Sequence, residues 1–161
     1  MPDPTIELVP ATTEQHFSDA RTLILEYVEW LNFDLSFQNF DHEMASLPAM
    51  YNSKDGGLFV VYVNGDPAGV IGLRRFSVTE GEVKRMFVKE TARGHGIGNL
   101  LLLKCIDMAK ALHYTSLKLD TADFMKAAHK LYIDHGFVEI PAYRYNPQEG
   151  ARYFELDLRK E

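Results

Sequence analysis

Three glycines in alternation, within Arg93-Gly94-His95-Gly96-Ile97-Gly98, are the residues of this chain most plainly arranged for chemistry. They stand between an apolar, partly alternating stretch, Val83 to Val88, and a leucine-rich segment that starts at Asn99. The first pattern predicts a strand and the second a helix. Glycine lets the backbone approach a ligand closely, and the first turn of a helix offers N–H groups without intrahelical partners. A glycine turn feeding a helix therefore predicts a phosphate site. Spacing narrows the ligand. A Walker loop requires Lys and then Ser or Thr after its last glycine, and neither pair follows here. A dinucleotide fingerprint counted from Gly94 requires glycine where Ile97 stands, and counted from Gly96 it requires glycine where Leu101 stands. Both nucleotide motifs fail on the residues. Lys84, Arg85, Lys89 and Arg93 against Glu90 make the window locally basic, which suits a polyanionic ligand and equally suits a solvated surface.

The elements that must position this turn can be read along the chain. Ile6 to Val9 predicts an opening strand, and Thr12 or Thr13 can cap a helix with Glu14 and Gln15 in its first turn. Phe17, Ala20, Leu23, Ile24, Tyr27, Val28 and Leu31 follow the three-four spacing of an amphipathic helix. The pattern recurs weakly through Phe40, Met44 and Leu47 and stops at Pro48, and Asn52 to Gly57 reads as a loop. Leu58 to Val63, the turn Asn64-Gly65-Asp66-Pro67, and Ala68 to Arg74 predict a hairpin, with a second turn over Val78 to Gly81. After the glycine turn, Ile97, Leu101, Cys105, Met108 and Leu112 form one helical stripe. Ser116 to Thr121 follows as a strand. Met125, Ala128, Leu131, Tyr132 and His135 share the face of a last helix that stops before Gly136-Phe137. Val138 to Tyr145 and Arg152 to Leu158 predict a terminal antiparallel pair. The predicted order is β-α-α-β-β-β-α-β-α-β-β, an α/β (α+β) fold.

Composition sets the bounds. A chain of 161 residues suits one domain over residues 1–161 with a full core. The longest apolar runs, such as Asn99 to Cys105, are too short for a bilayer, and the N-terminus lacks a signal-peptide layout, so no membrane partner is expected. One cysteine excludes an internal disulfide and fits a cytoplasmic location. Residues 1–57 hold two basic against ten acidic side chains within a net charge of −6, the wrong sign for nucleic acid. His129 and His135 are six apart and fall on different helix faces, so no metal site is expected. Cys105, on an apolar stripe, reads as a small buried hydrophobe.

The glycine turn resembles motif A of the GNAT N-acetyltransferase superfamily, Arg/Gln-x-x-Gly-x-Gly/Ala, within the segment 82–103. Ala128-His129-Lys130-Leu131-Tyr132-Ile133-Asp134-His135-Gly136-Phe137 is similar to that family's Ala-x-x-Leu-Tyr-x-x-x-Gly-Phe. The resemblance covers the chain from about Leu58 onward. It implies a mixed, mostly antiparallel sheet flanked by helices, in which two strands splay apart. It implies acetyl-CoA as acyl donor, with its pyrophosphate on the amides of Gly94, His95, Gly96, Ile97, Gly98 and Asn99, and with the Arg93 and His95 side chains as helpers or loop surface. It further implies backbone contacts at Met86, Phe87 and Val88, and direct attack by a bound primary amine. Two side chains acquire catalytic roles by the resemblance. Glu82, eleven residues before Arg93, matches a general base, against the alternative of an exposed strand-end carboxylate. Tyr132 matches the acid that protonates the leaving thiolate, against the alternative of core packing. Many members carry asparagine where this chain has Met125, so that coenzyme contact is absent from the expectation.

The value of a base depends on the acceptor. A lysine amine with a pKa near 10.4 costs about 4.6 kcal/mol to neutralise at pH 7, and an α-amine near 7.8 costs about 1 kcal/mol. A small-molecule amine and a peptide amine both remain open as acceptors, as does a non-catalytic acyl-CoA-binding module of the same fold. The helices over about 12–51 are expected on the acceptor side. There Phe33, Phe37, Phe40, Tyr51, Asp34, Asp41 and Glu43 either receive a cationic amine or form an ordinary core. Arg74, Tyr143 and Tyr145 are further candidates for that cleft, and the terminal strands are compatible with a homodimer.

Overall fold

The computed structural model describes residues 3–31, 40–51, 54–146 and 150–159. In chain order the elements are β1 (Ile6–Pro10), α1 (Glu14–Leu31), α2 (Phe40–Ala45), α3 (Leu47–Met50), β2 (Gly57–Val63), β3 (Asp66–Arg75) and β4 (Glu80–Val88). Then come a 3₁₀ turn (Glu90–Ala92), α4 (Ile97–Ala111), β5 (Ser116–Ala122), α5 (Lys126–Asp134), β6 (Val138–Ile140) and β7 (Ala151–Asp157). The strands form one sheet in the order β1-β2-β3-β4-β5-β7-β6. Every pairing is antiparallel except β4 with β5, which α4 joins as a crossover. The expected mixed, mostly antiparallel sheet flanked by helices is the observed architecture.

The sheet is apolar on both faces because side chains alternate along its central strands. Leu58 and Val60 pack with Ala20, Leu23 and Ile24 of α1, whereas Phe59 and Val61 pack with Leu101, Leu102 and Cys105 of α4. Burying a leucine of this kind contributes about 1.5–3 kcal/mol. Thr13 caps α1, its hydroxyl accepting from the His16 N–H at 3.1 Å. Two elements differ from expectation. Pro48 does not stop a helix but stands in the first turn of α3, where its missing N–H has no partner to lose. β6 ends at Ile140 rather than Tyr145 because Pro141 cannot donate to the ladder. No helix of the described residues is long and apolar enough to cross a membrane.

Two irregularities in β4 shape everything built on it. Val70 pairs with Phe87 but Gly72 pairs with Lys84, so β4 holds one more residue than β3 in that interval. The bulge centres on Arg85, whose φ of 57° is left-handed, rare for a residue with a Cβ. A slip of one residue reverses facing, so Val83 joins the α4-side core and Phe87 the α1-side core, although four positions would otherwise put them on one face. The second irregularity is a fork. β4 pairs with β5 only from Glu80 to Glu82, against Ser116 to Lys118, after which the two strands part.

A buried ion pair holds the bulge. Arg85 Nε and Nη2 donate to both carboxylate oxygens of Glu43 at 3.0 and 2.8 Å, and the Tyr51 hydroxyl donates to Glu43 Oε2 at 2.7 Å. Burial alone would raise the Glu43 carboxyl, but the hydrogen bonds from Arg85 and Tyr51 outweigh it and hold the group below its ordinary value. Breaking such a pair leaves an uncompensated buried cation. Glu43→Gln therefore lowers stability by about 3–5 kcal/mol. Lys130→Ala, at an exposed pair with Asp134, lowers it by under about 1 kcal/mol. Urea denaturation of both variants checks this, and equal losses contradict it.

Candidate active site

The fork opens into a cleft of about 510 Å³. Met86, Phe87 and Val88 supply one wall, Tyr27 and Trp30 of α1 another, and residues 124–128 with Leu131 a third. Arg93, Gly94 and Gly96 to Asn99 close one end. Trp30 and Phe124 meet edge to face at 5.5 Å between α1 and the start of α5. Most of the lining is apolar; Arg93 and Asn99 stand at the glycine turn, and Lys126 on the α5 wall.

That turn is built for main-chain donors. Gly94 and Gly96 have φ of 91° and 74°, which L side chains rarely adopt, and Gly96 leads into α4 without a side-chain cap. The Leu100 N–H donating to the Gly96 carbonyl at 3.1 Å begins the helical ladder, so the amides of Ile97, Gly98 and Asn99 are the orphan donors of the helix end. A Cβ on Gly94 or Gly96 would meet nothing within 4 Å, so the approach to these amides is open. Gly98 has a different reason to be glycine. Its Cβ would lie 3.3 Å from Leu131 and Met86, so its absence lets α4 close against both. Arg93 Nε donates to the Val88 carbonyl at 3.3 Å, and its guanidinium lies 5.5 Å from the Trp30 ring centre, tying the turn to the cleft walls. His95 is exposed and does not line the cleft.

Tyr132 sits one side chain behind the cleft. Its hydroxyl donates to Met86 Sδ at 3.8 Å, and its ring packs on Phe137 and Phe154. Burial pushes this hydroxyl far up, so it keeps its proton throughout the neutral range. Met125 lines the cleft and accepts from the Thr121 hydroxyl at 3.5 Å. Cys105 is buried, and burial raises its thiol, as suits an inert core residue.

Glu82 lies further back on β4, where the strands begin to part. It is 4% exposed, which removes the alternative of a solvated strand-end carboxylate. Its Oε2 accepts from the Tyr143 hydroxyl at 2.7 Å and from Arg144, and its Oε1 lies 4.0 Å from Lys84 Nζ. It lines a second cleft of about 430 Å³ with Arg74, Arg75, Phe76, Lys84, Arg144 and Tyr145. Lys84 is buried, and burial lowers its ammonium from 10.5 to about 8 against the opposing pull of Glu82. The Lys84 burial and the Arg144 contact had no sequence signal, because one lies in an apolar strand pattern and the other in an irregular connection. On the acceptor-side helices, Glu43 and Tyr51 are committed to Arg85, and Phe40 lies under that guanidinium at 5.4 Å. Phe33, Phe37 and Asp34 lie outside the described residues.

Residues 24–137 match the acetyltransferase (GNAT) family. An uncharacterized N-acetyltransferase of Schizosaccharomyces pombe is 32% identical over 91% of this chain and 91% of its own length. Among solved structures, a GNAT acetyltransferase of Staphylococcus aureus superposes with a TM-score of 0.80 at 22% identity, over 96% of this chain and 99% of that one. A GNAT acetyltransferase of Elizabethkingia anophelis solved with acetyl-CoA bound superposes with a TM-score of 0.64 at 21% identity, over 94% of this chain and 97% of that one.

Two outcomes follow from the site's geometry. Gly96→Ala loses about 1–2 kcal/mol by backbone strain alone, and Gly96→Asn loses clearly less, since asparagine tolerates the left-handed region. Matched thermal melts check this, and equal losses contradict it. Lys84, facing Glu82, Arg85, Asp120 and Arg144, binds its proton less readily folded than unfolded. Between pH about 8 and 10.5 the unfolded chain holds the extra proton, so wild-type stability relative to Lys84→Met rises with pH across that interval. Urea midpoints across the same range test it, and a flat difference contradicts it.

Proposed function

The chain belongs to the acetyltransferase (GNAT) family, and on that premise we propose that it is an acetyl-CoA-dependent N-acetyltransferase acting on a primary amine. The acceptor is a small molecule or a peptide, and attack is direct, without a covalent acyl-enzyme. The observation that supports this best is an open amide cradle at one end of a cleft whose wall residue Met86 accepts a hydrogen bond from the buried Tyr132 hydroxyl.

Acetyl-CoA supplies an activated acyl group as a thioester. The residues here would hold and serve it as follows. The amides of Gly94 to Asn99 would take the diphosphate, with Arg93 as a cationic neighbour. The edge of β4 over Met86, Phe87 and Val88, which β5 leaves unpaired, would pair with the pantetheine amides like an added strand. An N–H of the same segment would donate to the oxyanion. Tyr132 would give its proton to the departing thiolate, a role that requires the hydroxyl to stay protonated until then. Glu82 would take the proton of the incoming amine, with Tyr143 and Arg144 fixing its carboxylate. The single cysteine, buried and unpaired, suits a reducing compartment, and we place the enzyme in the cytoplasm.

Tyr132→Phe is the direct test. Turnover, followed as thiol release from acetyl-CoA, falls by about 10²-fold or more, while thermal stabilisation by acetyl-CoA persists. Equal rates in variant and wild type remove Tyr132 from the mechanism. Stabilisation by CoA without thiol release for any amine replaces the enzyme with a binding module.

A further inference from the structure

Arg74 and Glu82 are Cα partners in the antiparallel register of β3 and β4. That relation puts their side chains on one face, with Cβ atoms about 4.5–5.5 Å apart. No ion pair joins them. Glu82 Oε2 is taken by Tyr143 and Arg144. The Arg74 guanidinium lies 5.9 Å from the Tyr51 ring centre and, among the described residues, makes no hydrogen bond or ion pair. Both side chains line the 430 Å³ cleft, so it holds an acid and a guanidinium fork side by side without their pairing.

The rest of the lining extends this asymmetry. Arg75, Lys84 and Arg144 add three cations. Arg144 Nε is buried without a hydrogen-bond partner, although the same guanidinium reaches Glu82. Even with Asp55 on Arg75, Asp120 acting on Lys84, and Arg85 there paired with Glu43, cations outnumber carboxylates five to four around the cleft. Glu82 alone would recruit any ammonium, but this surround repels a second positive charge. A guanidinium fork fits a planar or tetrahedral oxyanion through two parallel N–H donors.

We infer that the acceptor is an amine that also carries an oxyanion, a carboxylate or phosphate a few bonds from the nitrogen. Its ammonium sits on Glu82 and its oxyanion on Arg74. The inference rests on the acetyl-transfer reading for the reaction, though not for the binding. Two matched pairs test it as acceptors in thiol release: L-aspartate with its diamide, and O-phosphoethanolamine with ethanolamine. The oxyanion-bearing member of at least one pair shows kcat/KM about tenfold higher or more, as a charged hydrogen-bonded contact requires. The pair that responds tells carboxylate from phosphate. Arg74→Gln erases most of the preference by raising KM, and Arg74→Lys restores part of it, which loss of structure alone would not do. Thermal shifts by N-acetyl-L-aspartate against its diamide, and by N-acetyl-phosphoethanolamine against N-acetylethanolamine, with CoA present, read the same preference without turnover. Equal or reversed preference in both assays, or selective acetylation of polyamines, overturns the inference and leaves acetyl transfer standing. Selective stabilisation by an oxyanion-bearing product with no thiol release from any amine upholds this site and sinks the reaction.

Discussion

The pair between Arg85 and Glu43 is the constraint on which the rest depends. A left-handed arginine inside a strand costs energy, and so does desolvating two charges. The bidentate contact, with Tyr51 donating to the same carboxylate and Phe40 against the guanidinium, gives both charges partners where they are buried. What it secures is a reversal of facing within β4. Before the bulge, Val83 points to the α4-side core; after it, Met86 and Val88 turn to that side while Phe87 meets α1. The same strand lines one cleft with Glu82 and Lys84 and, beyond the bulge, another with Met86, Phe87 and Val88. The fork completes the arrangement by freeing the edge of β4 beyond Glu82.

Much of this was legible in the residues. Glycine alternation between an apolar run and a leucine stripe located the turn, since left-handed backbone and an uncapped helix end both demand glycine there. The hairpin, the α1 stripe and the terminal strand pair followed from periodicity, because period and burial are tied through side-chain direction. The bulge was not legible. Lys84-Arg85-Met86 sits in an ordinary strand pattern, and the partner that stabilises its irregular backbone lies 42 positions away at Glu43. Glu43 itself reads as one acid among ten in an acidic segment. Only the fold converts it from a surface charge into the counter-ion of a buried arginine. Pro48 and Pro141 show the same limit, since proline marks an interruption without saying which element yields.

The charge distribution gains a physical meaning from these contacts. The acidic excess before residue 58 includes the one carboxylate that the bulge consumes, and Asp55, which pairs with Arg75 at the rim of the second cleft. The cations around Glu82 come from the end of β3, the middle of β4 and the connection after β6. Buried charge is poor evidence for stability. A 4%-exposed lysine beside a 4%-exposed glutamate is therefore not counted as a support of the fold.

We propose the fork and the glycine turn as two ends of one coenzyme site. A crystal structure with acetyl-CoA bound is the decisive measurement. The diphosphate is expected on the amides of residues 94–99, the pantetheine along the free edge of β4, and the sulfur within hydrogen-bonding reach of the Tyr132 hydroxyl. Coenzyme bound with its diphosphate away from that turn, or with its sulfur outside the fork, would contradict it.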